Sequence, residues 1–173
     1  MRDSAIRHLV AASGAPIVAA ALFERTVQIW NWHTGEQLSE FDTVLDFGGK
    51  RLALNPSGDS CVAASWKKGK RDGVACYDTQ SGHAIWSRPD LRHVQGLRFS
   101  PLGDAVWCWI EAGPVQRLDA RTGLTLEKIR AVQDVVESPS SDHSLHLRRA
   151  DFLFGGVKKV RIPRLTYALL DAA

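Results

Sequence analysis

The side chains best placed by type and spacing to act on a ligand are basic, and four of them share one short stretch. The sequence Lys67-Lys68-Gly69-Lys70-Arg71-Asp72 separates two apolar segments. A cluster of cations attracts a partner with an acidic surface through long-range electrostatics. The alternative interpretation is a solvated hairpin tip, where lysines keep a sheet edge soluble. We therefore treat Lys67, Lys68, Lys70 and Arg71 as candidate partner-binding residues.

Catalytic and metal-binding chemistry has little support. The sequence contains no G-x-S-x-G nucleophile elbow, P-loop, G-x-G-x-x-G or HExxH motif. His143 and His146 are three residues apart, which places them on opposite faces of a strand and makes a poor metal pair. Asp59, Asp104 and Asp142 recur at one turn position, so a structural role outweighs acid–base work. We predict no enzymatic activity, no metal and no cofactor.

Composition and charge are those of an ordinary globular protein. Of the 173 residues, 45% are apolar and 24% charged, and the net charge is +3. This mild basicity, without aromatic residues in the basic loop, disfavours nucleic-acid binding. The charge is uneven, since residues 1–45 carry five acidic and three basic side chains whereas residues 131–173 carry five and six.

The cysteines and the N-terminus indicate a cytoplasmic protein. Cys61, Cys76 and Cys108 lie inside apolar patterns with no zinc spacing, and an odd number argues against a disulfide scaffold. We expect buried free thiols in a reducing compartment. The N-terminal residues loosely resemble a signal peptide, but Asp3 and the Gly14-Ala15-Pro16 interruption argue against one. No window is long and apolar enough to span a bilayer, and no membrane association is predicted.

One kind of turn recurs three times and organises the chain. An alternating segment followed by a Gly-containing turn occurs at residues 26–35, 73–82 and 114–123. The turn glycines Gly35, Gly82 and Gly123 are 47 and 41 residues apart. Alternation followed by such a turn predicts a strand entering a hairpin. The period is that of one four-stranded propeller blade.

A second kind of turn recurs in step with the first. It is found at Asn55-Pro56-Ser57-Gly58-Asp59, at Ser100-Pro101-Leu102-Gly103-Asp104 and at Ser138-Pro139-Ser140-Ser141-Asp142. Proline presets the first central φ, and glycine or a small polar residue accepts the conformation that follows. Apolar strands are predicted on both sides of the first two copies, and an apolar strand is predicted before the third.

The two turn families together predict a single repeat domain spanning residues 1–173. Its all-β fold contains about four four-stranded antiparallel blades, at about residues 5–45, 46–90, 93–130 and 131–170. The fourth unit is degraded, with predicted strands near 133–136, 143–147 and 151–154. The pairing of its last strands and the structure of residues 165–170 stay open. The six tryptophans fall in the first three units and are predicted to pack between blades, with Trp32, beside a turn, as the best binding candidate.

These residues resemble WD40-type β-propeller repeats. Ile29-Trp30-Asn31 followed by Thr34-Gly35, and Cys76-Tyr77-Asp78, are similar to the family's strand that ends in an aromatic-Asp pair before a Thr-Gly turn. The resemblance covers residues 5–130 well and 131–162 weakly. It implies that the loop at 67–72 emerges on the same face as the connections between blades. Those connections carry Arg88, Arg92, His93 and Arg130, which complete the predicted partner-binding set.

Two departures from the family bear on assembly. No Gly-His dipeptide precedes a repeat, so the family's internal His-Asp network is not expected. Four blades are few for such a ring, and an open arc leaves bare sheet edges. A closed small ring, a homodimer that forms one larger ring and a fragment of a longer protein all remain open. We favour self-association or an incomplete ring.

The sequence thus predicts a non-catalytic protein-binding scaffold that uses loops at the edge of a propeller-like fold. A regulatory or inhibitory effect on an acidic protein partner is compatible with this prediction. The alternative is a module of a propeller enzyme or of a quinoprotein-like cofactor-binding protein, with its remaining blades elsewhere.

Overall fold

Fourteen β-strands form the architecture of the computed structural model, which describes residues 6–22, 25–43, 51–65, 73–111, 113–130, 132–137 and 144–148. The first sheet contains β1 (Ile6–Ala11), β2 (Ile17–Leu22), β3 (Thr26–Asn31) and β4 (Glu36–Asp42). The second contains β5 (Leu52–Leu54), β6 (Ser60–Ala64), β7 (Val74–Asp78) and β8 (Ala84–Arg88). The third contains β9 (Val94–Phe99), β10 (Ala105–Ile110), β11 (Val115–Asp119) and β12 (Thr125–Ile129). A hairpin of β13 (Val132–Glu137) and β14 (Ser144–Arg148) follows.

Each sheet is an antiparallel meander whose strands pair in chain order, from β1 to β4, from β5 to β8 and from β9 to β12. The predicted all-β, propeller-like fold class is confirmed. β1 ends at Ala11, and the N–H of the next residue, Ala12, bonds the Ile17 carbonyl across the turn to β2 at 2.9 Å.

The fourth predicted blade is described only as a two-stranded sheet. β13 and β14 lie where the sequence places the first two strands of that unit, and β13 contacts β11. The third Pro-containing turn, at 138–142, and the predicted strands after residue 150 lie outside the described residues. Whether the chain forms one domain over residues 1–173 stays a prediction.

Both predicted turn families lie at the same end of their sheets. Asp104, in the turn between β9 and β10, offers its main-chain carbonyl to the N–H of Ala120, in the turn between β11 and β12, at 2.9 Å. The equivalent bond in the second sheet runs from the Thr79 N–H to the Asp59 carbonyl, also 2.9 Å. We call this the turn end of each sheet. The opposite end, which carries the turns between second and third strands and the connections between sheets, is the connection end.

The sheets stack face to face on apolar side chains. Ala19, Val27 and Ile29 of the first sheet pack against Leu52, Leu54, Cys61 and Tyr77 of the second. A further cluster joins Val62, Cys76 and Trp86 of the second sheet to Phe99, Val106 and Leu118 of the third. A sheet between two others buries both faces, which explains why β6 is buried at every position. The side-by-side stacking of the sheets fixes where their turns and connections lie.

Candidate partner-binding site

The basic loop Lys67-Lys68-Gly69-Lys70-Arg71 lies outside the described residues, but its two flanks are placed. The N–H of Ser65 bonds the Gly73 carbonyl at 3.1 Å. Gly73 adopts φ 141° and lies so close to the next connection that an added Cβ would be 2.7 Å from the Arg88 carbonyl oxygen. Ser65 and Gly73, the two described flanks, therefore lie at the connection end of the second sheet, and Gly73 lies beside the segment that leads to the third sheet.

Arg88, one of the predicted partner-binding residues, is held between two sheets. Its guanidinium forms a bidentate pair with Asp90, at 2.8 Å from Nε and 2.7 Å from Nη2. Its Nη1 donates to the Gly123 carbonyl of the third sheet at 2.6 Å. The hydrogen bonds with Asp90 raise the pKa of Arg88 and lower the pKa of Asp90. This side chain joins the second sheet to the third, whatever it contributes to a partner surface.

Arg92, His93 and Arg130 lie on the connections as predicted. Arg92 is exposed and follows Leu91, which is buried. His93 is half-buried with φ 56°, and its carbonyl accepts a 2.9 Å bond from the N–H of Glu111 at the end of β10. Arg130 is exposed directly after β12. Arg92 and Arg130 are thus the described basic members of the set whose exposure leaves them accessible to a partner.

Trp32 lies elsewhere. It begins the turn between β3 and β4, and its N–H bonds the Pro16 carbonyl at 3.0 Å. Its side chain is 61% exposed and meets His33 edge to face, with ring centroids 6.0 Å apart. These contacts place Trp32 at the turn end of the first sheet, whereas Arg92 and His93 lie at the connection end of the third. The structure therefore divides the predicted residues between two surfaces.

Trp86 packs between the second and third sheets, as predicted, whereas Trp107 and Trp109 cluster with Val115 and Ile129 of their own sheet. Trp86 and Trp107 are buried, and Trp30 and Trp109 are partly exposed. Trp109 lies under the guanidinium of Arg98, 5.4 Å from the ring centroid. Trp66 lies outside the described residues. Exposure distinguishes Trp32 from these side chains, and its position after the strand was the only sequence signal of that difference.

The turns are fixed by carboxylates and one amide. Asp78 Oδ1 accepts bonds from the Ser81 hydroxyl and N–H, each at 2.7 Å, and Asp119 Oδ1 does the same with Thr122 at 2.7 and 2.8 Å. These bonds lower the pKa of both aspartates. Asn31 accepts from the N–H groups of His33 and Thr34 at the matching place. The sequence indicates the turns but not this role of their first residue.

Within the described ranges, no group of three or more His, Cys, Asp or Glu side chains is arranged to hold a metal ion, and no helix is long and apolar enough to cross a bilayer. Cys61, Cys76 and Cys108 are free and buried, as predicted. Burial raises the pKa of the Cys76 and Cys108 thiols to about 12. These cysteines are therefore poor nucleophiles in the folded protein.

A cavity of about 430 Å³ lies on the inner side of the stack, where the first strands of the three sheets approach one another. Its apolar lining includes Val10, Leu52, Leu54, Leu97 and Phe99, and Ser13 and Ser100 add hydroxyl groups. The sequence does not reveal this cavity, because β1, β5 and β9 are far apart along the chain. The recurring apolar pattern of each unit's first strand was the available signal.

Comparison with known proteins supports the fold alone. No protein-family model matches the sequence, and no curated protein matches it significantly. Among solved structures, the chain is similar to the β-propeller domain of Cps50 (Swd1) from Myceliophteria thermophila, with a TM-score of 0.61 and 16% identity. The match covers 84% of this chain and 49% of that one, so the chain spans about half the length of the propeller it matches. The fold of this protein is thus similar to part of a β-propeller.

Proposed function

We propose that this protein is a non-catalytic scaffold that binds an acidic protein partner at the connection end of its sheets. The main supporting observation is the close contact between Gly73 and the Arg88–Pro89 segment. A Cβ added at Gly73 would lie 2.9 Å from Pro89 Cα. This contact places Gly73, which follows the basic loop, next to the connection that carries Arg92 and His93, and so supports the proposal. Lys67, Lys68, Lys70 and Arg71 then join Arg92 in one basic surface, to which Arg130 adds charge from the next connection.

The bonds that hold the connection after β8 favour a binding role. Arg88, at the end of β8, pairs with Asp90 of that connection and also bonds the Gly123 carbonyl in the β11–β12 turn of the third sheet. A surface held by such bonds loses little conformational entropy when a partner binds. Electrostatic attraction from the exposed cations would speed association and disfavour basic partners. The buried thiols agree with a reducing compartment, and we place the protein in the cytoplasm as part of this proposal.

The test is affinity capture from a cell lysate with wild-type protein and with the Lys67→Glu/Lys68→Glu/Lys70→Glu/Arg71→Glu variant. The matched control is Arg121→Glu, which reverses an exposed charge on the β11–β12 turn, at the opposite end of the third sheet. We expect an acidic protein to be retained by wild type and control, lost with the loop variant and released by salt. Equal capture by the loop variant would remove the proposed surface.

A further inference from the structure

The second and third sheets each pack one face against the preceding sheet. The equivalent face of the first sheet is not covered by any described residue. Equivalent positions follow from the turns between first and second strands. Ala12, Asn55 and Ser100 each donate a 2.9 Å main-chain bond across such a turn, to Ile17, Ser60 and Ala105. Leu9, Leu52 and Leu97 stand three residues before them and are therefore equivalent. Leu52 and Leu97 belong to the apolar clusters that join their sheets to the preceding ones. Leu9 has no preceding sheet among the described residues.

Exposure separates the first sheet from the other two. Leu9 is 57% exposed whereas Leu52 is 2% exposed, and Leu97 is partly buried. Ala11 is exposed, but Leu54 and Phe99 at the same position are 7% and 6% exposed. Trp30, which precedes the turn residue Asn31, is half-buried, and its equivalents Tyr77 and Leu118 are buried. Leu9 and Ala11 of β1 and Trp30 of β3 are therefore more exposed than their equivalents in the second and third sheets.

The turn glycines show what shape the missing element has. A Cβ at Gly82 would lie 2.6 Å from the Phe41 ring of the first sheet, and one at Gly123 would lie 2.7 Å from the Trp86 ring of the second. A Cβ at Gly35 would meet no described atom within 4 Å. In both filled cases the neighbour is a ring on the outermost strand of the preceding sheet. The open space beside Gly35 therefore corresponds to the place that the outermost strand of a preceding sheet takes beside Gly82 and Gly123.

We propose that a second copy of this chain occupies this face. The C-terminal β13–β14 sheet of one copy would dock on the first sheet of the other. The chain matches about half the length of a longer propeller, so two copies together would span about the length of that propeller. A two-fold axis through the centre of the ring brings each copy's last sheet against the other copy's first sheet. Both contacts then form at once and close the assembly.

Charge favours the same pairing. The first sheet carries the exposed carboxylates of Glu36, Glu40 and Asp42. Residues 1–45 contain five acidic and three basic side chains, whereas residues 149–173 contain two and five. The start of one copy and the end of the other are therefore complementary in sign, which favours head-to-tail docking over contact between two identical ends.

The experiment is light scattering and sedimentation of the purified 173-residue chain, compared with a Leu9→Arg/Ala11→Arg variant. A matched control, Leu102→Arg, places arginine at another exposed leucine, on the β9–β10 turn. We expect wild type and control to have about 38 kDa, twice the 19.1 kDa chain. The double variant should have the mass of one chain, because unpaired guanidinium groups in the contact raise the dimer dissociation constant by roughly a hundredfold or more.

Three results would overturn the proposal. A wild-type mass of one chain would mean that the chain's own later residues cover the face or that it stays open. A double variant that remains dimeric would place the contact on another surface. A ladder of larger species would show head-to-tail contact that does not close. Circular dichroism and thermal unfolding separate dissociation from misfolding, since both substituted residues are exposed. Partner capture by the basic loop is scored separately and does not depend on the outcome.

Discussion

The indole Nε1 of Trp86 donates a 2.8 Å hydrogen bond to the main-chain carbonyl of Ala120, and this bond crosses from the second sheet to the third. Ser39, at the matching place on the outermost strand of the first sheet, donates its hydroxyl to the Thr79 carbonyl of the second. Thr79 and Ala120 each follow the aspartate that begins a turn. The outermost strand of one sheet thus bonds the turn of the next, and this contact repeats along the stack.

Replacing Trp86 by phenylalanine should lower the free energy of unfolding by about 1–3 kcal/mol. The ring contact with Gly123 survives in part, but the Ala120 carbonyl loses its indole donor in a buried place. Urea denaturation followed by circular dichroism measures the change. Trp32→Phe is the control, because Trp32 is exposed and should alter stability by no more than about 0.5 kcal/mol. Equal effects of the two substitutions would contradict a structural role for the inter-sheet bond.

Much of the fold could be predicted because the residues that end its strands are local sequence signals. Proline and glycine at fixed places in the turns encode strand ends directly, and Gly58 and Gly103 do adopt φ of 78° and 76°. The site was harder, because it depends on contacts between sheets. Nothing beside Arg88 in the sequence indicates that its guanidinium reaches Gly123, 35 residues away. Trp32 was grouped with basic residues that lie at the other end of the sheets. The sequence indicates a turn at Trp32 but not the end of the sheet at which this turn lies.

Glycine-to-alanine substitutions at Gly82 and Gly35 should separate backbone strain from inter-sheet contact. Both residues have positive φ, 69° and 74°, so alanine costs roughly 1–2 kcal/mol at either position. At Gly82 the new methyl would also collide with the Phe41 side chain, which should add roughly 1–3 kcal/mol. We therefore expect Gly82→Ala to be the more destabilising of the two in chemical denaturation.

This comparison is best made in the Leu9→Arg/Ala11→Arg background, so that the state of association is the same for both proteins. A third variant, Phe41→Ala with Gly82→Ala, tests the cause, because alanine lacks the Cγ and the ring that the new methyl would meet. The smaller side chain should relieve part of the collision, and the two changes should therefore be non-additive. Equal losses at Gly35 and Gly82 would show that strain alone matters and that the ring contact carries no energy.

Asp78 and Asp119 should make stability depend on pH in the acid range. Hydrogen bonds from the Ser81 and Thr122 hydroxyls hold the pKa of each carboxylate below its ordinary value. Because the folded pKa is depressed, the stabilisation is present above the unfolded pKa of about 3.9 and is lost as pH falls through the folded pKa. Urea unfolding between neutral and strongly acidic pH should show stability falling below about pH 4.

The Asp78→Asn/Asp119→Asn variant is the direct test, because Asn31 shows that an amide oxygen accepts the same main-chain bonds in the first sheet. At neutral pH this variant should lose at most about 1 kcal/mol per turn, since neutral hydrogen bonds replace charge-assisted ones. Below pH 4 its stability should fall less steeply than that of wild type. Glu127→Gln, which removes an exposed carboxylate on β12, should leave the slope unchanged. If the asparagine variant and wild type lost stability in parallel, the acid sensitivity would have to reside in other carboxylates.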